Sequence, residues 1–373
     1  MSQRVFVFTT AYWPLIGGAE VALTEIIKRL PEYQFEIITA RFKRLLPAKE
    51  SIGNVTIHRL GWGTKLDKFV LVLTGATYAK WLAKKNKPAL VWSMMASYGG
   101  LAATSFKKAN LNTPYLLSLQ EGDDLKALET KMKMLGAWWW FKKIFTKADH
   151  VQCISHYLAD WAKRMGATCP VTVVPNGIDL KTFYCDQERL DTRTEKIIFT
   201  ASRLVHKNAV DIIIQALAKL PSNFKLRIAG GGPEEVNLKQ LTKKLKVEDK
   251  VIFLGNVPNH QLFSELNQAS VFVRPSRSEG LGVSFLEAMA AGVPVIATPV
   301  GGILDFLKDN QTGFLVPVDD ANKLAEKVSY ITDPDNQQQV WEVINMARAL
   351  IKNNYNWDHL APQISQIFDH LIR

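Results

Sequence analysis

The chain has 373 residues, 47% of them hydrophobic and 22% charged, a composition typical of globular domains with room for two cores. Its three cysteines, Cys153, Cys169 and Cys185, have neither the even number of a disulfide framework nor the close spacing of a zinc site, which favours a reducing, cytoplasmic setting. The sequence has no signal-peptide pattern and no run of the roughly 20 apolar residues that a spanning helix needs.

The net charge of +11 is unevenly distributed. Residues 1–178 hold 24 Lys and Arg against 12 Asp and Glu, whereas residues 179–373 hold 22 against 23. The sequence shows neither zinc-finger spacing nor the aromatic signature of an RNA-recognition module, so we do not expect a nucleic-acid partner. An anionic membrane surface or a phosphate-bearing acceptor accounts for the basic first half.

Short apolar runs alternate with longer amphipathic ones along the whole chain, which predicts buried parallel strands separated by helices. The predicted strands are Val5–Thr9, Phe35–Thr39, Leu90–Trp92, Tyr115–Leu119, Val151–Ile154, Ile197–Ala201, Leu226–Ala229, Val251–Leu254, Val271–Val273 and Val295–Ala297. A break at Pro175, Asn176 and Gly177 divides the pattern. We therefore predict an α/β protein with two doubly wound domains, 1–178 and 179–353, and a substrate cleft between them.

The first predicted strand is followed by a glycine pair, Gly17 and Gly18, that opens a helix extending to Leu30. Glycine at this place allows either close approach of a ligand or tight packing of the helix on the strand. The segment does not match the dinucleotide fingerprint G-x-G-x-x-G, and the chain contains no P-loop.

A helix-like run from Lys131 to Lys147 combines the adjacent Trp138, Trp139 and Trp140 with several lysines. Tryptophan with lysine is typical of an interfacial helix on an anionic bilayer. The alternative is that the aromatic side chains belong to the domain core and the lysines face water. The sequence alone leaves both interpretations open.

In the second half, Arg203 and Lys207 lie four residues apart after a predicted strand. Arginine can bind two phosphate oxygens in a fork and lysine can add a point charge, although basic pairs are also common on solvated surfaces. Two later strands end in turns that allow close approach, one containing Gly231 and one containing Val257. Each turn lies where a doubly wound domain binds its ligand.

Glu279 and Glu287 bracket a glycine-rich turn that opens a helix. Gly282 lets the backbone approach a ligand, and N–H groups around Val283 lack partners at the helix start, where phosphate binds readily. A carboxylate farther along the helix can accept hydrogen bonds from sugar hydroxyls. Carboxylates on both sides of a phosphate site suggest a nucleotide-sugar, although an ordinary crossover with solvent-facing glutamates has the same pattern.

Taken in order along the chain, these motifs resemble the retaining glycosyltransferases of the GT-B fold, specifically family 4, the glycosyl transferases of group 1. The motifs that carry the resemblance are Gly17–Glu20, Val174–Asp179, Ser202 to Lys207, Gly230–Pro233, Gly255–Pro258, Glu279 with Glu287, and Gly301 with Gly302. The second half matches more specifically than the first.

The resemblance implies two Rossmann-like domains facing each other across a cleft, with residues 354–373 crossing back onto the first domain. It implies transfer of a hexose from a nucleoside-diphosphate sugar to a hydroxyl of a glycan or lipid-linked glycan. No metal and no further cofactor are then expected. The first domain would be the acceptor side, so an enzyme at the inner face of the membrane could contact anionic lipid through residues 131–147.

Carried over residue by residue, the resemblance implies a role for each candidate. Arg203 and Lys207 would stabilise the departing diphosphate, which builds negative charge in the reaction. Glu287 would hold the ribose hydroxyls, and Glu279 would face the donor sugar. The backbone at Gly282 and Val283 would bind the terminal phosphate, with Gly17 and Gly18 closing over the diphosphate. The turns at Gly231 and Val257 would complete the donor site.

The chain departs from the family pattern at two positions. The family often has histidine before glycine at the end of a first-domain strand, where this chain has Gln120 and Glu121, so the contact to the donor sugar is expected from Glu121 or Gln120. Asn208 replaces the glycine that usually follows the lysine, a change with no evident chemical consequence. A GT-B epimerase or hydrolase, or a non-catalytic carbohydrate-binding protein, would share the donor-site pattern.

Overall fold

The structure is a computed structural model that describes residues 3–15, 17–185 and 193–373. It contains two compact units. Unit 1 comprises Met1–Glu121, Leu125–Asn176 and Trp357–Arg373, and unit 2 comprises Gly122–Asp124 and Gly177–Asn356. Each unit has its own largely parallel sheet and its own core, so the predicted α/β class with two Rossmann-like domains is confirmed.

Strands and helices alternate along the described chain. The strands are β1 (Arg4–Phe8), β2 (Gln34–Ala40), β3 (Lys49–Ile52), β4 (Val55–Leu60), β5 (Leu90–Met94), β6 (Tyr115–Leu119), β7 (His150–Cys153), β8 (Val171–Val173), β9 (Lys196–Ala201), β10 (Phe224–Ala229), β11 (Val251–Gly255), β12 (Val271–Arg274), β13 (Val295–Ala297) and β14 (Phe314–Leu315). The helices are α1 (Gly18–Lys28), α2 (Asp67–Lys85), α3 (Tyr98–Ala109), α4 (Leu125–Met134), α5 (Trp138–Thr146), α6 (His156–Arg164), α7 (Leu180–Phe183), α8 (Val210–Leu217), α9 (Glu235–Lys244), α10 (Asn259–Gln268), α11 (Val283–Ala290), α12 (Ala321–Thr332), α13 (Gln337–Asn354) and α14 (Trp357–Ile372).

The sheet of unit 1 has the order β3-β4-β2-β1-β5-β6-β7-β8, with only β3 antiparallel to its neighbour. The strands predicted from apolar runs are central and buried on both faces, as parallel strands are. Prediction missed β3 because most of its side chains are exposed, so the strand has no apolar run. It also missed β4 and the short β8.

The sheet of unit 2 has the order β11-β10-β9-β12-β13-β14, and all its strand pairs are parallel. The strand order reverses between β9 and β12, so the loops that follow these two strands diverge at one edge of the sheet. Ligands of doubly wound domains bind at such a point. The loop after β9 carries Arg203 and Lys207, and the loop after β12 carries Glu279.

Helix α14 belongs to unit 1 although it follows the last helix of unit 2 in the chain. The Phe368 ring meets Trp92 and Tyr33 edge-on, with centroids 5.2 Å and 5.4 Å away. Two polar contacts fix the helix: the Tyr33 hydroxyl donates to Asp369 at 2.8 Å, and Arg29 pairs with Asp358 at 2.9 Å. The final helix is therefore part of the core of unit 1.

The predicted helix-like run from Lys131 to Lys147 is two helices, because α4 ends at Met134 and α5 begins at Trp138. Gly136 between them has φ +64°, a left-handed conformation that interrupts a helix.

Trp139 and Trp140 are 69% and 62% exposed, so the core interpretation is wrong for these two side chains. The buried face of α5 consists of Phe141, Ile144 and Phe145. No helix in the described part of the chain is long and apolar enough to cross a bilayer.

Candidate donor site

The helix α11 begins at the glycine-rich turn, with Gly282 as its N-cap. Gly282 has φ +86°, and a Cβ there would lie 2.5 Å from the Phe285 ring. Only glycine fits this turn without displacing the first helical residues. The turn directs the N–H groups around Val283 along the helix axis, where the first N–H groups of a helix lack intrahelical partners.

Glu279 lies in the loop between β12 and α11, and its carboxylate is buried. One oxygen pairs with the guanidinium of Arg274, and the other accepts from the N–H of Gly280 at 3.1 Å. The backbone of Glu279 is also fixed, because its carbonyl accepts from the Gly302 N–H at 3.1 Å. A Cβ on the neighbouring Gly301 would lie 1.8 Å from that carbonyl oxygen. The Gly301-Gly302 motif therefore serves to seat the Glu279 loop.

Glu287 lies within α11 and is buried, yet its carboxyl group has no hydrogen bond or ion pair among the residues that the structure describes. Burial raises the pKa of Glu287 to about 7, and the nearby Arg274 cation lowers it in part. Glu287 keeps 9% of its surface exposed, so a ligand that supplies hydrogen bonds can reach the carboxyl group. Glu287 is thus suited to receive hydroxyl groups of a bound molecule.

Lys207 is part-buried and lies in the loop after β9. Its ammonium donates to the Gly122 carbonyl at 2.6 Å and pairs with the exposed Asp123 at 3.0 Å. Arg277 holds this loop: its N–H donates to the Lys207 carbonyl at 2.7 Å, and its guanidinium pairs with Asp211. The position of the lysine is therefore set by contacts of its backbone as well as of its side chain.

The ammonium of Lys207 and the carboxylate of Glu279 lie close to one point beside Gly122. A Cβ built on Gly122 would be 3.0 Å from Lys207 Nζ and 3.1 Å from Glu279 Oε1. The two charged groups come from different loops and were predicted separately. The structure brings them together around a glycine that leaves the space open.

Arg203 is exposed, and its side chain makes no hydrogen bond or ion pair with any residue in the described ranges. Its carbonyl accepts from the Asn208 side-chain amide at 2.6 Å. Asn208, from which no chemical consequence was expected, is buried, and its amide oxygen also accepts from Arg274 at 3.1 Å. Asn208 links the loop of Arg203 to the residue that pairs with Glu279.

Arg274, the last residue of β12, was not predicted from the sequence. No motif singled it out, but a permanent charge closing an otherwise buried apolar strand was a usable signal. A buried arginine requires a partner, and the nearest carboxylate in sequence is Glu279, five residues on.

The turn containing Gly231 packs against the loop after β9. A Cβ on Gly230 would lie 1.9 Å from the Ser202 carbonyl oxygen. A Cβ on Gly232 would lie 2.2 Å from the Leu204 carbonyl oxygen. These two glycines are therefore required for packing, whereas a Cβ on Gly231 would meet only Asn256, at 3.4 Å. Val257, in the loop after β11, is partly exposed. The roles of Gly231 and Val257 toward a ligand stay predictions.

In unit 1, Gly17 is the N-cap of α1 and Gly18 its first residue. A Cβ on Gly18 would have no neighbour within 4 Å, so packing does not require this glycine. Beside them, burial raises the pKa of Glu20, and the N–H groups of Glu20 and Gly17 offset part of this effect. The predicted diphosphate contact of the glycine pair remains untested by this geometry.

Glu121 is buried at the end of β6 in unit 1. Its carboxylate accepts from the backbone N–H of Ala96 and, at 2.9 Å, from that of Gln120. The neighbouring Gln120 and Asn176 exchange two amide hydrogen bonds of 3.1 Å and 2.7 Å. In this structure Glu121 therefore fixes the backbone of its own unit, and its predicted contact to a sugar stays a prediction.

Across residues 3–15, 17–185 and 193–373, no three His, Cys, Asp or Glu side chains are grouped so that they could hold a metal ion. Glu279, which pairs with Arg274, and Lys207 place opposite charges beside Gly122, and Gly282 caps the N-terminus of α11 in the same unit. Such a site can bind an anion next to hydroxyl groups and can stabilise negative charge as it develops.

Two family models match consecutive parts of the chain. Glycosyltransferase Family 4 matches residues 16–182, and Glycosyl transferases group 1 matches residues 186–357. Among similar proteins, the uncharacterized glycosyltransferase MJ1178 of Methanocaldococcus jannaschii is 24% identical over 360 residues, which cover 96% of each chain. The GDP-mannose-dependent alpha-(1-6)-phosphatidylinositol monomannoside mannosyltransferase of Mycolicibacterium smegmatis is 28% identical over 61% of this chain and 63% of that protein. Matches to several other relatives likewise span 50–61% of those proteins.

Solved structures show the same fold. Sucrose-phosphate synthase from Thermosynechococcus elongatus superposes with a TM-score of 0.85 at 21% identity, covering 99% of each chain. HepE from Anabaena, solved in complex with UDP-glucose, gives a TM-score of 0.79 at 17% identity over 99% of each chain. The motifs, the two Rossmann-like sheets and these matches agree, and the chain belongs to the GT-B glycosyltransferases of the family 4 type.

Proposed function

We propose that the chain is a retaining enzyme that transfers a hexose from a nucleoside-diphosphate sugar to a hydroxyl of a glycan or lipid-linked glycan, without a metal ion. The observation that carries this proposal is the convergence of Lys207 and Glu279 beside Gly122. A cation and a carboxylate at one open point suit a ligand with an anionic leaving group next to a hydroxyl-bearing sugar. The UDP-glucose bound in the HepE structure supports a donor of this class.

In this mechanism the departing nucleoside diphosphate gains negative charge as the glycosidic bond breaks. Lys207, Arg203 and the N–H groups at the start of α11 would stabilise that charge in the transition state. Glu279 would hold the donor sugar near its reacting carbon, and Glu287 would accept hydrogen bonds from the ribose hydroxyls. These fixed charges would do the work that a metal ion does in other transferases.

The donor is identified by thermal unfolding in the presence of UDP-glucose, UDP-N-acetylglucosamine, GDP-mannose and ADP-glucose. A ligand that binds only the folded state stabilises it by about 2.7 kcal/mol at 100 times its Kd. We expect one of these to raise the unfolding temperature. If none of the four does so at millimolar concentration, the nucleotide-sugar proposal fails.

Transfer is then measured with that donor and a panel of glycan acceptors. Glu279→Ala and Lys207→Ala should nearly abolish transfer while retaining the fold. Glu235→Ala and Lys239→Ala are matched controls, because these residues form an exposed pair at 2.6 Å on α9 of the same unit. Full activity of either site variant would contradict the proposal. Sugar release or epimerisation with donor alone, and no transfer, would favour the hydrolase or epimerase alternative.

Two further measurements test whether the reaction retains the anomeric configuration and whether it needs a metal ion. Retention predicts that the product keeps the anomeric configuration of the donor sugar, which NMR of the product reports. Metal independence predicts full activity after dialysis against EDTA. An inverted product or activity that returns only with added Mg²⁺ or Mn²⁺ would contradict these claims separately from the transferase assignment.

We also propose that unit 1 contacts an anionic membrane through a surface formed by Met134, Leu135, Trp139 and Trp140. All four side chains are exposed, by 62% to 83%, and Lys143 lies over the Trp139 ring at 5.7 Å. Exposed tryptophans with lysines suit the headgroup region of an anionic leaflet. This contact would bring the protein to a lipid-linked acceptor.

Flotation with liposomes tests this contact. The wild type should float with phosphatidylserine-containing vesicles and less with neutral ones, and the double variant W139S/W140S should not float. Ile252→Thr is the control, because Ile252 is 48% exposed in unit 2. Equal flotation of the wild type and the double variant would exclude this surface.

A further inference from the structure

Arg274 lies at the carboxyl end of β12 and makes four contacts through its guanidinium. One terminal nitrogen pairs with Glu279 and donates to the Asn208 amide oxygen at 3.1 Å. The other donates to the Ser284 hydroxyl at 3.1 Å, and the group lies over the Phe285 ring, 5.4 Å from its centroid. These contacts come from the β9 loop, the β12 loop and the first turn of α11.

The Arg274–Glu279 pair is poorly suited to a purely stabilising role. The two side chains are only 11% and 8% exposed, and the Arg274 Nε is buried without a hydrogen-bond partner in the described part of the chain. The free energy needed to remove both charges from water offsets much of their Coulomb attraction. A buried ion pair therefore often adds little stability compared with apolar side chains. Such a pair can instead fix one geometry where a fold would otherwise allow several.

We propose that Arg274 is a positioning residue that aims the Glu279 carboxylate at the donor sugar. This inference rests on the proposed function, in which Glu279 faces that sugar. Asn208 extends the arrangement, because its amide oxygen holds Arg274 and its amide nitrogen holds the Arg203 carbonyl. The loop after β12, which carries Glu279, and the loop after β9, which carries Arg203, are therefore aligned by hydrogen bonds between Arg274 and Asn208.

The test compares Arg274→Gln and Arg274→Lys with Arg227→Gln. Arg227 is a matched control, since it pairs with Glu265 at 2.8 Å in the same unit with side chains only 19% and 17% exposed. For each variant we would measure UDP and GDP binding, kcat, KM and the unfolding temperature. The substrate for kcat and KM is UDP-glucose or GDP-mannose, whichever stabilises the protein in the thermal-unfolding screen. We expect R274Q to lower kcat about 100-fold, because a small misplacement of a reacting group has an effect of this size. When it is measured well above pH 7, so that Glu287 is ionised without the Arg274 cation, nucleoside-diphosphate affinity should change less than about threefold, and R274K should recover part of kcat.

The outcomes separate this inference from the proposed function. If R274Q keeps the wild-type kcat while Glu279→Ala is inactive, Arg274 does not position the carboxylate and the transferase proposal stands. If Glu279→Ala is fully active, the proposed function itself fails. If R274Q and R227Q lower stability, nucleotide affinity and kcat to the same extent, Arg274 is only structural and the inference is overturned.

A second variant avoids the loss of a buried charge. Asn208→Gly installs the residue that usually follows the lysine in the family, and it removes both amide hydrogen bonds. We expect a decrease of kcat of about tenfold at unchanged nucleoside-diphosphate affinity, because two aligned hydrogen bonds are lost from the positioning chain. An unchanged kcat in N208G would remove Asn208 from the proposal.

Discussion

Lys207 Nζ and Glu279 Oε1 lie 3.0 Å and 3.1 Å from the point where Gly122 would carry a side chain. Neither residue contacts that point through its own backbone. The β9 loop supplies the cation, and the β12 loop supplies the carboxylate. A methyl group at Gly122 would therefore disturb both charged groups at once without removing either of them.

Gly122→Ala should lower transfer activity with little effect on folding. The added methyl group would occupy the space between the two charged groups, and distances of 3.0–3.1 Å force the flexible side-chain ends to move apart. We expect kcat/KM to decrease at least about tenfold, with unfolding free energy changed by less than about 1 kcal/mol. Steady-state kinetics and urea unfolding measure the two quantities. Asp123→Asn is the control, because its pair with Lys207 is 77% exposed on the aspartate side and should contribute little.

Nucleoside-diphosphate affinity should depend on pH through Glu287. Its pKa of about 7 means that the carboxyl group is largely protonated below neutral pH, whereas the ionised form is the better acceptor for ribose hydroxyls. UDP or GDP should therefore bind more tightly as the pH rises from 6 to 8 and reach a plateau above it. Titration calorimetry at several pH values checks this. In Glu287→Gln the dependence over this range should disappear, and if it persists another group is responsible.

The raised pKa of Glu287 also predicts how the stability of the fold changes with pH. The pKa of Glu287 in the folded protein lies above its ordinary value of 4.5, so the folded state binds the proton more tightly. The resulting contribution to the unfolding free energy is complete below about pH 4.5 and is lost as the pH rises through 7. Glu287→Gln, which stays neutral, should gain stability relative to the wild type between pH 5 and 8. Urea midpoints at constant ionic strength measure the difference.

Gly301→Ala should destabilise the loop that holds Glu279. At φ +55° any side chain is strained, and the Cβ would also lie 1.8 Å from the Glu279 carbonyl oxygen. Gly53→Ala is a matched control, because Gly53 has φ +58° with nothing within 4 Å of an added Cβ. Both variants should lose about 1 kcal/mol from backbone strain, and only G301A should lose more and lose activity as well. Equal stability losses in the two variants would show that the clash is relieved without displacing the loop.

Arg277→Ala should disorder the backbone that carries Lys207. Arg277 pairs with Asp211 and Asp319, each at 2.7 Å, and its guanidinium also donates to the His206 carbonyl. We expect a loss of about 1–3 kcal/mol of unfolding free energy and a raised KM for the donor. Lys323→Ala removes an exposed pair with Glu326 and should change neither quantity. A wild-type KM in R277A would mean that the loop is held by its other contacts.

The architecture could be predicted from the sequence, because buried parallel strands appear in it as apolar runs. The prediction failed for β3, whose side chains are largely exposed, and for the run 131–147, where Gly136 separates two helices. Glu279 and Glu287 were predicted because they bracket a glycine-rich turn at a helix start, and Lys207 was predicted because it follows Arg203 by four residues after a strand.

Asn208 and Arg274 could not be assigned in the same way. Their importance depends on contacts between residues 66 positions apart in the chain, and no local spacing reveals such a contact. Glu121 has a structural role that its motif position does not reveal, because its carboxylate accepts from the backbone of its own unit. Side-chain orientation is a tertiary property, and motif order does not determine it.

The partnerless carboxyl of Glu287 also makes ligand uptake a proton-coupled event. Hydroxyl donors arriving at the buried group would favour its ionised form, so near neutral pH the complex should release a fraction of a proton to the buffer. The apparent enthalpy of nucleotide binding would then differ between buffers of low and high ionisation enthalpy, such as phosphate and Tris. A single buried glutamate would in this way couple the loading of the enzyme to the acidity of its surroundings.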